Sequence, residues 1–180
     1  MNNGNIVLVK PEEKYLLSYL TVCKESFHSV HNTYLLHDPD KFEEWRKTIF
    51  HRYAMNEAGE CLPENYLPSV TFWALYGQRV AGVVNIRKGL NEALTDYGGN
   101  AGFMLSTSFR GKKLSIPLIA RTLEKAGQLG ITPVLMTCID ENIPSLSALK
   151  KFPAFKVEKA ETIADGKYCA IHRFWFTAVP

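Results

Sequence analysis

Residues 100–130 constrain the fold of this chain more than any other stretch. An apolar run, Ala101 to Leu105, leads into a basic turn, Arg110-Gly111-Lys112-Lys113, and then into a segment of helical period. Ile116, Ile119, Ala120, Leu123 and Ala126 fall on one face of that helix. Proline is tolerated only in the first turn of a helix, so Pro117 sets the start close to Ser115. Gly130 supplies the C′ stop. A helix N-terminus offers unpaired backbone N–H groups and the positive end of the helix dipole. Arg110, Lys112 and Lys113 add three cations at the same place. The stretch predicts a seat for a phosphate-bearing cofactor.

The flanking segments supply a sheet for this unit. Residues 5–10 read as a short strand stopped by Pro11, and Leu16, Leu20, Cys23 and Phe27 form the stripe of a first helix. Asp40-Lys-Phe-Glu43 has the capping-box pattern and opens a second helix with the stripe Phe42, Trp45, Ile49 and Tyr53. Residues 55–69, with Gly59, Pro63 and Pro68, read as a loop. Val70–Tyr76 and Val80–Arg87, joined at Gly77-Gln78, predict an antiparallel hairpin. Residues 88–99 form a polar loop before the strand at 101–105. Pro133 to Cys138 reads as a strand parallel to it, because a helix crosses between the two. A short helix, Pro144 to Lys151, and a hairpin of Phe155–Ile163 with Tyr168–Thr177 around Asp165-Gly166 complete the chain. The order β-α-α-β-β-β-α-β-α-β-β defines an α/β fold with a mixed sheet, helices on both faces, and one domain over residues 1–180.

Composition removes several function classes. A net charge of +3 is too small to argue for nucleic acid, so the basic turn is a local patch. Cys23, Cys61, Cys138 and Cys169 lack CxxC spacing, which argues against a zinc site or a disulfide framework and for a reducing compartment. No apolar run reaches the ~18 residues of a membrane span, and no leader pattern opens the chain. The expectation is a cytoplasmic protein.

In this context the central unit resembles the GNAT superfamily of N-acetyltransferases. The likeness runs through most of the chain and is strongest from Val70 to Phe155. The superfamily's Arg-x-x-Gly-x-Gly/Ala motif is matched by Arg110-Gly111-Lys112-Lys113-Leu114-Ser115, and its later Asn with a small residue three positions on is matched by Asn142 and Ser145. Leu90 to Gly99 is similar to a bacterial branch of the superfamily. The resemblance implies acetyl-CoA as acyl donor and a primary amine as acceptor, on a small molecule or a peptide. It implies that backbone groups of Met104 and Leu105 meet the thioester and pantetheine arm. Residues 110–115 would hold the pyrophosphate, and Asn142 would meet the pantetheine. Superfamily relatives are often dimers, and the last hairpin is the expected interface.

Three positions depart from the pattern. Lys113 stands where glycine is usual, Ser115 where glycine or alanine is usual, and Leu149 where many members carry a tyrosine that protonates the leaving thiolate. These departures also fit a non-catalytic relative that binds an acyl-CoA or another ligand.

The residues offer further candidates. Glu92 and Asp96, before the central strand, are candidate general bases, since a carboxylate or a water relay can deprotonate an ammonium. Tyr97 and Tyr168 are candidate proton donors, and Cys138 a candidate nucleophile weighed against a small buried hydrophobe. His28, His31 and His37 lack the acid or cysteine neighbours of a metal site and read as helix-end and loop histidines. The alternating Trp73, Phe174, Trp175 and Phe176 read as core and sheet-face residues.

Overall fold

The structure, a computed structural model, describes residues 5–28, 36–164 and 167–178. Two antiparallel sheets carry the architecture. The first has four strands in chain order: β1 (Ile6–Val9), β2 (Ser69–Tyr76), β3 (Arg79–Arg87) and β4 (Ala101–Leu105). The second has three: β5 (Val134–Ile139), β6 (Lys156–Ala164) and β7 (Lys167–Phe176), with β7 in the middle. Among the described residues six α-helices join them: α1 (Leu16–Ser26), α2 (Phe42–Trp45), α3 (Ile49–Ala58), α4 (Glu92–Asp96), α5 (Ser115–Gln128) and α6 (Ile143–Leu149).

Strands β2 and β3 read as nearly continuous apolar runs because both their faces are covered. Phe72 and its cross-strand partner Val84 enter a core shared with Leu118 and Ile119 of α5 and Leu149 of α6. Trp73 and its partner Val83 enter the opposite core, with Tyr19 of α1, Trp45 of α2 and Ile49 of α3. Trp73 and Tyr19 stack with ring centroids 4.6 Å apart. The four-stranded sheet is therefore a partition: α5 and α6 lie on one side, α1 to α3 on the other.

The expected parallel ladder between β4 and β5 does not form. The strands belong to different sheets, and among the described residues their starts are tied together chiefly through Asn100. The Asn100 N–H donates to the Leu135 carbonyl at 3.0 Å, and its Oδ1 accepts from the Leu135 N–H at 2.8 Å. The side-chain amide also donates to the Pro133 carbonyl at 3.2 Å. Asn100 is 2% exposed, and its polar atoms satisfy main-chain groups that a ladder would otherwise have paired. Beside it, a Cβ at Gly99 would meet the Leu135 carbonyl oxygen at 2.2 Å, with φ at +65°, so this junction requires glycine. Beyond it the two strands diverge.

Local differences have equally local causes. The second helix is split into α2 and α3. Asp40 does not cap: Asp38 caps a 3-10 turn, Pro39–Lys41, that leads into α2, its side chain accepting from the Asp40 N–H at 3.0 Å and its carbonyl from the Trp45 indole at 2.7 Å. Helix α3 continues through residues 55–58 and ends at Gly59 with φ +80°. The loop at 88–99 contains α4, capped by Asn91 Oδ1 on the Leu94 N–H at 2.9 Å. Helix α5 runs as expected. Gly130 N–H bonds to Gly127 O and Ile131 N–H to Ala126 O, each at 2.9 Å, which is a Schellman ending. The Asp165-Gly166 turn lies outside the described residues.

Candidate active site

The divergence of β4 and β5 opens a cleft. Ala101, Gly102 and Phe103 line one wall; Met136, Thr137, Cys138 and Ile139 line the other. Tyr97 and Gly98 stand at one end, and Asn142 and Ser145 of the α6 start at another. The gap encloses about 80 Å³, which suits a thin chain more than a globular ligand. From Ala101 to Leu105, β4 has a strand partner on the β3 side only, so its other edge faces the cleft with no strand alongside among the described residues.

The β4–α5 turn supplies a second element. After one 3-10 turn at Thr107–Phe109, the backbone takes positive φ at Gly111 (+74°) and again at Lys113 (+59°). A lysine thus occupies a conformation that normally favours glycine, at a cost of about 1–2 kcal/mol. Leu114 then enters the right-handed region with no side-chain cap, and Ser115 is the first helical residue and not the cap. As a result, among the described residues the N–H groups of Gly111, Lys112, Lys113, Leu114, Ser115 and Ile116 have no acceptor. Successive N–H groups in a turn that alternates backbone hand form an anion-binding hollow, and here it sits on the dipole of a 14-residue helix. Leu114, 6% exposed, anchors the turn in the core, while Arg110, Gly111, Lys112 and Lys113 are exposed. The Arg110 Nε folds back on the Leu105 carbonyl at 3.2 Å, and the Lys112 ammonium lies 5.2 Å from the Phe109 ring centroid.

The turn is braced from α1. Glu25 accepts from the Ser106 hydroxyl and from the Ser108 N–H, and the Ser26 hydroxyl accepts from the Thr107 N–H at 3.1 Å. Partial burial raises the Glu25 pKa, but these donors outweigh it and hold the carboxyl below its ordinary range. Sequence reasoning missed this brace, since Glu25 and Ser106 are 81 residues apart.

Asn142 caps α6, with Oδ1 accepting from the Ser145 N–H at 3.3 Å. That leaves its amide nitrogen directed at nothing else among the described residues, on the rim of the cleft. Met104 does not line the cleft; its side chain packs in the core under α1, 8% exposed. Leu105 lies at the strand end, opposite Gly82. Cys138 does line it, but burial raises its thiol pKa, which keeps it protonated and a poor nucleophile. Glu92 and Asp96 are exposed on α4 and do not line the cleft; Asp96 pairs with Arg173 at 3.0 Å. Of the two candidate proton donors, Tyr97 reaches the cleft, and Tyr168 is 75% exposed away from it. Leu149 is buried in the core.

A larger cavity, about 520 Å³, opens on the other face of the four-stranded sheet. Its floor is Ser69, Thr71, Asn85 and Arg87, its walls come from His37, α3 and α4, and it has the size of a small-molecule site. Asn85 in the cavity is the cross-strand partner of Gly102 in the cleft, so the two hollows adjoin across β3 and β4. His37, which the sequence left as a loop residue, is packed there between Tyr19, Trp45 and Tyr53, with Nδ1 2.8 Å from the Tyr19 hydroxyl. Burial, with the nearby Arg52 charge, lowers its pKa to about 4. His28 is exposed, and His31 lies outside the described residues. Among the described residues no three His, Cys, Asp or Glu side chains converge as a metal site, and no helix is long and apolar enough to cross a membrane.

No family model matches the chain, and no curated protein matches its sequence. Its similarity lies in solved structures. The microcin self-immunity acetyltransferase MccE, solved with acetyl-CoA and AMP, superposes with a TM-score of 0.64 at 16% identity, over 98% of this chain and 93% of that one. RimL, an alpha-N-protein acetyltransferase of a ribosomal protein solved with coenzyme A, gives 0.64 at 13% identity over 96% and 94%. A chimera of the spermidine N-acetyltransferase SpeG from Vibrio cholerae gives 0.59 at 16% identity over 97% and 96%. With two sheets parting at β4 and β5 and an uncapped central helix, this chain has the fold of the GNAT N-acetyltransferases.

Proposed function

We propose that the protein transfers the acetyl group of acetyl-CoA to a primary amine by direct attack. The observation that carries this reading is the run of unpaired N–H groups from Gly111 to Ile116, opening beside the β4–β5 cleft. A pyrophosphate needs several donors and positive potential, and the turn supplies both. The pantetheine arm needs a narrow slot beside an open strand edge, and the cleft between β4 and β5 has that form. The position of Asn142 on the cleft rim supports the same reading, with its amide nitrogen as the donor to that arm.

In the reaction, a neutral amine nitrogen bonds to the acetyl carbon, and the developing oxyanion is held by an outward N–H of β4. The C–S bond then breaks, the nitrogen gives its surplus proton to solvent water, and the departing thiolate takes up a proton. With Leu149 in the core, Tyr97 is the phenol that lines the cleft, and we assign it the proton for the thiolate. Most of the rate then comes from placing amine and thioester together in adjoining hollows.

Isothermal titration with acetyl-CoA, followed by thiol release across an amine panel, tests the proposal. Micromolar binding and amine-dependent thiol release are expected. No binding at millimolar acetyl-CoA would overturn it, and binding without turnover of any amine would favour a non-catalytic acyl-CoA binder.

A further inference from the structure

The 520 Å³ cavity has a chemical character that restricts what can enter it. Its ionisable lining is Arg52, Arg87, His37, Tyr53 and Tyr66, and none of the lining residues is Asp or Glu. The Arg52 guanidinium, on exposed α3, has no ion-pair or hydrogen-bond partner among the described residues. Arg87 is anchored by its Nη1 bond to the Gly99 carbonyl at 3.0 Å, which holds its side chain at the cavity wall. His37 is neutral, so the fixed charge of the lining is positive. Between the arginines lie hydroxyl and amide groups. Asn85 bonds to Ser69 and Thr71 at 3.2 Å each, and the buried Tyr53 hydroxyl has no partner at hydrogen-bond geometry among the described residues.

A polycation entering this hollow would meet like charge and no carboxylate. An anion would meet a planar guanidinium fork, the geometry best suited to carboxylate or phosphate. We infer that the acceptor is an amine that also carries an anionic group, a carboxylate or a phosphate, received in this cavity by Arg52 and Arg87, with its amine directed toward the Asn85–Gly102 junction. The inference rests on the acetyl-transfer reading, because it names the acceptor of that reaction.

Matched pairs test it: an α-amino acid against its decarboxylated amine, aminoethyl phosphate against ethanolamine, and spermidine alone. Each is titrated calorimetrically into acetyl-CoA-loaded protein and assayed by thiol release. The anionic member of at least one pair is expected to bind roughly 10- to 100-fold more tightly than its neutral-tailed partner. Arg52→Gln is expected to remove that preference, while Arg121→Gln, at a surface pair with Glu124, leaves it intact. The carboxylate and phosphate pairs separate the two anion sources. Equal binding within every pair, preference for spermidine, or binding of no panel member overturns the inference. Failure of acetyl-CoA itself to bind is the separate result that overturns the reading beneath it.

Discussion

Substitution at Lys113 tests whether the anion seat depends on its left-handed backbone. Lys113 has φ +59° and an exposed side chain, so neither packing nor a hydrogen bond dictates its identity. An L-residue there costs about 1–2 kcal/mol, and glycine returns about 0.5–1 kcal/mol of that to the freedom of the unfolded chain. Lys113→Gly is therefore expected to stabilise by up to about 1 kcal/mol, or roughly 2–4 °C in Tm for a chain of this size. Lys113→Ala keeps the strain and is expected to stay near the parent. Lys113→Val adds a β-branch at positive φ and is expected to be the least stable of the three. Lys113→Pro forces φ negative and removes one N–H, and it should weaken acetyl-CoA binding by roughly tenfold or more. Thermal denaturation and calorimetric titration of the four variants are the assays. If glycine destabilises, or valine matches alanine, the turn does not hold the left-handed conformation on which the seat depends.

Other outcomes follow from single side chains. Asn142→Asp keeps the oxygen that caps α6 but removes the amide nitrogen, so stability should hold while acetyl-CoA binding weakens; Asn142→Ala should lose both, with about 1 kcal/mol of stability, read by denaturation and titration in parallel. Tyr97→Phe should lower kcat by roughly 100-fold with acetyl-CoA affinity unchanged, provided the phenol supplies the thiolate proton. His37 titrates near 4 when folded and near 6.5 when free, so the unfolded chain takes up the proton first as pH falls. Its contribution is full above 6.5 and lost between 6.5 and about 4, amounting to roughly 3 kcal/mol. His37→Gln should flatten this part of the stability curve, measured by urea denaturation across the same range.

The residues that made the fold legible act locally. Pro117 and Gly130 bounded α5 because proline and glycine constrain the backbone wherever they stand. The β-branched and aromatic content of β2 and β3 and the turn at Gly77 were readable for the same reason. Asn91, a favoured cap residue, followed at once by Glu92 in the first turn was a signal that could have revealed α4. The parting of β4 from β5 was not readable. It depends on Asn100 bonding to Pro133 and Leu135, more than 30 residues away, and a buried asparagine has no signature of its own in a polar loop. The larger cavity is drawn from four separated segments, and Arg52 or His37 gains its meaning only when they converge. The basic turn was recognised through its charges, whereas the proposed seat is made of main-chain N–H groups, which carry no signature in the side chains. What the sequence contributes is the absence of a cap at Leu114 and the two positive-φ positions that orient those groups.

The most direct test is a titration of ¹⁵N-labelled protein followed through the backbone amides, with coenzyme A and then with pantetheine, which lacks the pyrophosphate. The account predicts that coenzyme A moves the amides of Gly111 to Ile116 most strongly, together with the Asn142 side-chain amide, and that pantetheine moves Asn142 but leaves Gly111 to Ile116 in place. Binding of coenzyme A that leaves those six amides unmoved, or equal binding of both ligands, would contradict it.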